Sequence, residues 1–127
     1  MRGVVVKYLL MIYGNDEKWA AIPPDEFAAG IAKQDAFNRK YAETGELLGA
    51  YGLGMAATAK LVRRTDGMPA VTDGPYLEAK EHFASFYLLD CASEARAAEI
   101  AADMPWADES PVELWPVPHE SPINQHR

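Results

Sequence analysis

Val4-Val5-Val6-Lys7-Tyr8-Leu9-Leu10-Met11-Ile12-Tyr13 is the stretch on which the fold turns. Val, Leu, Ile and Tyr dominate it and Gly14-Asn15-Asp16 stops it, so residues 4–13 read as a β-strand. Side chains alternate across a strand. Lys7, Leu9, Met11 and Tyr13 therefore share one face, and Tyr8, Leu10 and Ile12 the other. Both faces are mostly apolar. Such a strand calls for helices over one face and a different cover over the other. In a chain of 127 residues that second cover is expected to be another subunit. Residues 83–90, FASFYLLD, read as a second strand of the same two-sided kind.

Between these two strands, Pro23-Pro24-Asp25 leads into a helical stretch over residues 25–44, with Gly45 as its left-handed cap. Phe27, Ile31, Gln34, Asn38 and Tyr41 recur at 4, 3, 4, 3 spacing and predict one stripe facing inward, flanked by Phe37 and Ala42. Two amides, Gln34 and Asn38, thus fall in the middle of that stripe. A buried amide left unpaired costs roughly 1–3 kcal/mol. Either the two bond to backbone or to each other, or they line a polar pocket between helix and sheet. Residues 47–55 hold Gly49, Gly52 and Gly54 and predict a strand broken by bulges. Residues 60–64 and 68–72 flank Thr65-Asp66-Gly67, where Asp-Gly signals a β-hairpin. Ser93 caps a helix to about Met104, stopped by Pro105, with Ala97, Ile100, Ala101 and Met104 facing inward. Residues 111–117 form a final strand. The order is the split βαβ pattern of a ferredoxin-like α+β sandwich with an inserted β-hairpin, whose uncovered sheet face would pair two copies into a dimeric α+β barrel. Residues 1–118 make a single domain, and 119–127 a polar C-terminal tail.

Composition narrows the class. A hydrophobic fraction of 49% and a charged fraction of 24% are ordinary for a globular chain and exclude a disordered or fibrous one. Area scaling buries about two-thirds of the unfolded surface at this length, enough for a core without staples. Twelve Lys+Arg against 19 Asp+Glu give a net charge of −7 and no basic run, which speaks against holding nucleic acid by its phosphates. The apolar run of residues 3–13 is 11 residues long and contains Lys7, short of the roughly 20 needed to span a membrane. Lys7 also interrupts any signal-peptide core. The one cysteine, Cys91, has no partner for an intramolecular disulfide, and a cytoplasmic location is expected. Cys91 reads as a small buried hydrophobe rather than a nucleophile.

The densest polar cluster is Asp73-Gly74-Pro75-Tyr76-Leu77-Glu78-Ala79-Lys80-Glu81-His82. A carboxylate on a rigid turn holds a fixed position, as a general base requires. Asp before Gly also simply bonds its own turn's amides, and Glu78, Lys80 and Glu81 also read as a solvated edge. His82 begins a strand, while His119 and His126 lie in the tail. No spacing with Cys91 makes a metal site, and the glycines form no phosphate-cradling pattern.

At this cluster the chain resembles the YCII-related family, specifically its DGPF-domain branch, over residues 7–118. Lys7-Tyr8-Leu9-Leu10-Met11-Ile12-Tyr13-Gly14 is similar to the branch's first strand. Val71-Thr72-Asp73-Gly74-Pro75-Tyr76, then Glu78, Lys80 and Glu81, match its signature with Tyr76 in place of Phe. Ala84-Ser85 stands where the branch has paired glycines, and Ala50-Tyr51 where it has Gly-Glu. The resemblance implies a ferredoxin-like subunit in a dimeric α+β barrel. Some relatives resemble enzymes with a His–Asp pair in the cleft, at least one of them an aromatic dehalogenase. Their His lies in the first helix, and the corresponding position here is Gln34, which cannot act as a general base.

The resulting expectation is a homodimer that binds a small aromatic or carbonyl compound between the long helix and the sheet. Asp73 would act as acid/base or orienting carboxylate, Gln34, Asn38 and Tyr13 would fix the ligand, and Lys80 and Glu78 would complete the site. Cofactor-free proton transfer of lyase, isomerase or dehalogenase type needs least equipment. The alternative is a non-catalytic regulatory module, because DGPF-domain proteins resemble partners of extracytoplasmic-function sigma factors; an acidic surface suits a basic regulator.

Overall fold

The computed structural model describes residues 6–75 and 81–123. Six strands and three helices follow in the order β1 (Val6–Gly14), α1 (Asp16–Ala20), α2 (Pro24–Glu43), β2 (Leu47–Gly52), β3 (Lys60–Thr65), β4 (Met68–Asp73), β5 (His82–Cys91), α3 (Glu94–Ala102) and β6 (Val112–Val117). Four strands form a sheet in the order β2-β5-β1-β6, all neighbours antiparallel, and β3 and β4 form a separate hairpin. This α+β arrangement is consistent with a ferredoxin-like fold. The expected strand at residues 47–55 stops at Gly52 and is bulged between Leu47 and Gly49, as its glycines predict. Pro116 is accommodated because β6 is an edge strand, where a missing N–H breaks no inner ladder.

Local chemistry ends the elements where it should. Asn15 caps α1 by accepting from Lys18 N at 3.1 Å, and Ser93 caps α3 by accepting from Arg96 N at 3.0 Å. Gly45 closes α2 at φ +83°. In the β3–β4 turn, Asp66 and Gly67 take φ of 52° and 78°, the two left-handed positions that a two-residue hairpin turn demands.

The core lies between one sheet face and the helices. Tyr8, Leu10 and Ile12 of β1 and Tyr87, Leu89 and Cys91 of β5 meet Phe37 and Tyr41 of α2 and Ala97, Ile100 and Ala101 of α3. Leu10, Leu89 and Ile100 are fully buried, each worth about 1.5–3 kcal/mol of apolar transfer. Phe37 stands at its centre, 5.0 Å from the Tyr41 ring and 6.0 Å edge-on from Tyr87.

The expected inward stripe on the long helix is corrected. Gly30, Phe37 and Tyr41 are buried with Gln34 half-buried beside them, while Phe27 and Ile31 are 52% and 48% exposed. At 100° per residue this turns the helix by about 50° from the pattern centred on Phe27 and Asn38. Gly30 explains the rotation: the Trp106 indole packs where its side chain would be, with Cζ2 2.6 Å from an ideal Cβ. No helix among the described residues is long and apolar enough to cross a membrane.

Candidate functional site

A recess opens at the sheet end where β1 runs out and β5 begins. Gly14 is buried, and Trp19 of α1 folds across it. Asn15, while capping α1, donates from Nδ2 to Glu81 Oε2 at 3.4 Å. Next to it, the Asp16 carboxylate accepts from Ala56 N at 3.3 Å and Ala57 N at 3.4 Å, tying the 3₁₀ turn Ala56–Thr58 to the start of α1. Leu53 N donates to Ala84 O at 2.8 Å, and Gly74 N to Ala59 O at 2.8 Å. The second contact is close: a Cβ on Gly74 would lie 3.2 Å from the Ala59 and Lys60 backbone, which would have to give way by a few tenths of an ångström. Gly74-Pro75 is a cis peptide.

Together these segments enclose a cleft of about 340 Å³. Among the described residues its walls are Leu53, Gly54, Met55, Ala56, Thr58, Ala59, Pro75, His82 and Phe83, a mostly apolar lining that includes the His82 imidazole. A recess with room for about one water adjoins it, bounded by Gly14, Asp16, Trp19 and Ala84. Small-ligand sites are typically of this kind: concave, mostly apolar, and furnished with few polar groups.

The residues predicted from sequence lie in several places. Asp73 ends β4 and is 88% exposed, its carboxylate 2.9 Å from Lys60 Nζ. It stands two residues before Pro75 and so at the rim of the cleft rather than in its wall. Gln34 and Asn38 are on α2, where Gln34 Nε2 donates to Asn38 Oδ1 at 3.2 Å. Tyr13 lies on the opposite sheet face; its hydroxyl donates to Glu113 Oε1 at 3.1 Å and its ring is 6.2 Å from Phe83. Burial, then the Glu113 contact, pushes the Tyr13 phenol above its ordinary value. Lys80 and Glu78 lie outside the described residues. The structure therefore does not gather Asp73, Gln34, Asn38 and Tyr13 into one pocket under the helix. The interior there is filled by Phe37, Tyr41 and Tyr87.

Asp16, Trp19, His82 and Phe83 were missed as site residues. Their sequence signal was position alone: two hug the end of the first strand, and two follow the Asp73-Gly74-Pro75 cluster. Cys91 is buried, and burial first, then Glu46, pushes its thiol up. Among the described residues, no group of three or more His, Cys, Asp or Glu is set to hold a metal ion.

The family profile described as YCII-related domain matches residues 6–119. An uncharacterized protein of Rhizobium meliloti (strain 1021) is 33% identical over 103 residues, covering 81% of this chain and 83% of that protein.

Proposed function

This chain belongs to the YCII-related family, and from that premise we propose that it binds a small aromatic or carbonyl-bearing molecule in the cleft beside His82. The observation that carries this reading is the composition of the cleft: about 340 Å³ bounded, among the described residues, by mostly apolar walls and the His82 side chain. Apolar walls favour a flat, weakly polar ligand, and an imidazole on the wall can exchange a hydrogen bond with it. The chemistry that fits is proton transfer of lyase, isomerase or hydrolytic dehalogenase type. Asp73, at the rim beyond Pro75, is the orienting carboxylate. We also place the chain in the DGPF-domain branch, on Asp73-Gly74-Pro75 and Tyr76.

A face-to-face homodimer belongs to the same proposal. Leu9, Met11, Phe86 and Leu88 occupy the sheet face opposite the helices, and Tyr51 and Trp115 beside them are half exposed. Packing that face against a second copy would remove its apolar surface from water.

The test is a thermal-shift screen of phenolic, carbonyl and organic-acid compounds against the wild type, His82→Gln and Asp73→Asn. A ligand at 100 times its dissociation constant stabilises the fold by about 2.7 kcal/mol. Stabilisation of the wild type, lost in His82→Gln and weakened in Asp73→Asn, is the expected result. Equal shifts in all three proteins would remove both residues from the site. No shift in any of them would favour a protein partner, such as a sigma factor, over a metabolite.

A further inference from the structure

The one-water recess and the cleft share four wall residues, Gly54, Ala56, His82 and Phe83, so the recess is a side pocket of the cleft and not a separate hole. What the recess adds to the cleft is the Asp16 side chain, with Gly14 and Trp19 as further walls. Asp16 is half-buried and held in place, because Oδ1 accepts from Ala56 N and Oδ2 from Ala57 N. A carboxylate has about four acceptor positions, and those two bonds use one on each oxygen. Each oxygen therefore keeps capacity for another donor. Asp16 and His82 both border a space of one water, so both can reach the same oxygen atom placed there.

Size and polarity together select what enters. Room for one water is room for one polar atom of a ligand. A carboxylate only accepts, so that atom has to bring a proton. A carbonyl oxygen brings none, and a second carboxylate meets like charge. A hydroxyl donates to Asp16 and at the same time accepts from the His82 imidazole. The body of the ligand has to match Leu53, Met55 and Phe83, the larger apolar walls of the cleft. Resting on the cleft as a small-ligand site, we propose that its ligand is a phenol whose ring fills the cleft and whose hydroxyl enters the recess between Asp16 and His82. Selectivity follows from the penalty on analogues that leave Asp16 facing a group with no proton to give. This narrows the ligand from aromatic or carbonyl compounds to hydroxylated aromatic ones.

The probes are p-cresol, its methyl isostere p-xylene and the carbonyl analogue 4-methylbenzaldehyde, with affinities read by calorimetry. The wild type is expected to bind p-cresol at least tenfold more tightly than either analogue. Asp16→Asn keeps an oxygen to accept from Ala56 N and adds an NH2 that donates to a carbonyl. It is therefore expected to erase the advantage of p-cresol over the aldehyde. Binding of all three probes alike by the wild type, or an undiminished preference in Asp16→Asn, would overturn the proposal and leave the cleft reading standing. No binding of any probe would remove the cleft reading and this proposal with it. If Asp16→Asn fails to fold, the Ala56 and Ala57 amide resonances of the wild type take its place. Both amides donate to Asp16 and are expected to shift further with p-cresol than with p-xylene; equal shifts would overturn the proposal.

Discussion

Single side chains set the cleft's shape by close approach. The Trp19 indole lies across Gly14, with its Cζ2 in the space that a Cβ there would take. Gly14→Ala must therefore displace Trp19 from the wall of the recess. Overpacking of this kind costs about 1–3 kcal/mol. The expected result is a lower denaturation midpoint with a red-shifted tryptophan emission; an unchanged midpoint would show that α1 yields freely. Gly74 is constrained by backbone rather than by a side chain, which is why the Asp73-Gly74-Pro75 turn can hold Pro75 in the cleft wall. The residue identities of that turn were readable in the sequence. That Asp73 would spend its carboxylate on Lys60 was not, because cross-strand partners depend on hairpin register.

Elements differ sharply in how much each contributes to stability. β5 pairs on both sides and buries Leu89 completely, whereas the β3–β4 hairpin pairs only with itself and leaves Val62 and Val71 mostly exposed. Leu89→Ala is expected to cost about 2–5 kcal/mol. Val62→Thr, by contrast, should stay within about 0.5 kcal/mol in urea denaturation. Comparable losses in the two would mean that the hairpin is buried against something else in solution. The two long helices are clamped by charge at their ends. Glu46, just after α2, takes Arg96 of α3 through a pair of hydrogen bonds at 2.8 and 3.0 Å, and Asp103 takes Lys40 at 2.8 Å and Tyr41 at 2.7 Å. The Arg96 hydrogen bonds, then Thr44, hold the Glu46 carboxyl below its ordinary 4.5. Lys40, then Tyr41, hold Asp103 below 3.8. Folded values below unfolded ones mean stabilisation that is complete above about pH 4.5 and is lost as the pH falls through the folded values. Denaturation measured from pH 7 to 3 should show that loss. Glu46→Gln should flatten it, and an identical acid limb in the variant would place the titration elsewhere.

For the molecule as a whole, the sheet face opposite the helices is mostly apolar, and the net charge of −7 keeps separate copies apart at low salt. Sedimentation is expected to give twice the chain mass, with Leu9→Arg shifting it to the monomer; a wild-type monomer at high concentration and moderate salt would end the homodimer reading. Alternation within residues 4–13 and 83–90, Asp-Gly between two short strands and the caps at Ser93 and Gly45 were sufficient to reach the α+β topology, because these signals act over a few residues and agree with one another. Short-range patterning alone also marked both faces of β1 as apolar. It did not settle the rotation of α2, since Phe27, Ile31 and Phe37 are equally apolar and only the fit of Trp106 against Gly30 chose between them. Nor did it locate the cleft, whose walls come from three separate segments, residues 53–59, Pro75 and residues 82–83, held by Leu53 on Ala84, Asp16 on Ala56 and Ala57, and Gly74 on Ala59. Local propensity thus set the elements and their order. Which side chains meet was left to long-range packing, because contacts between distant segments leave no periodic mark in the chain.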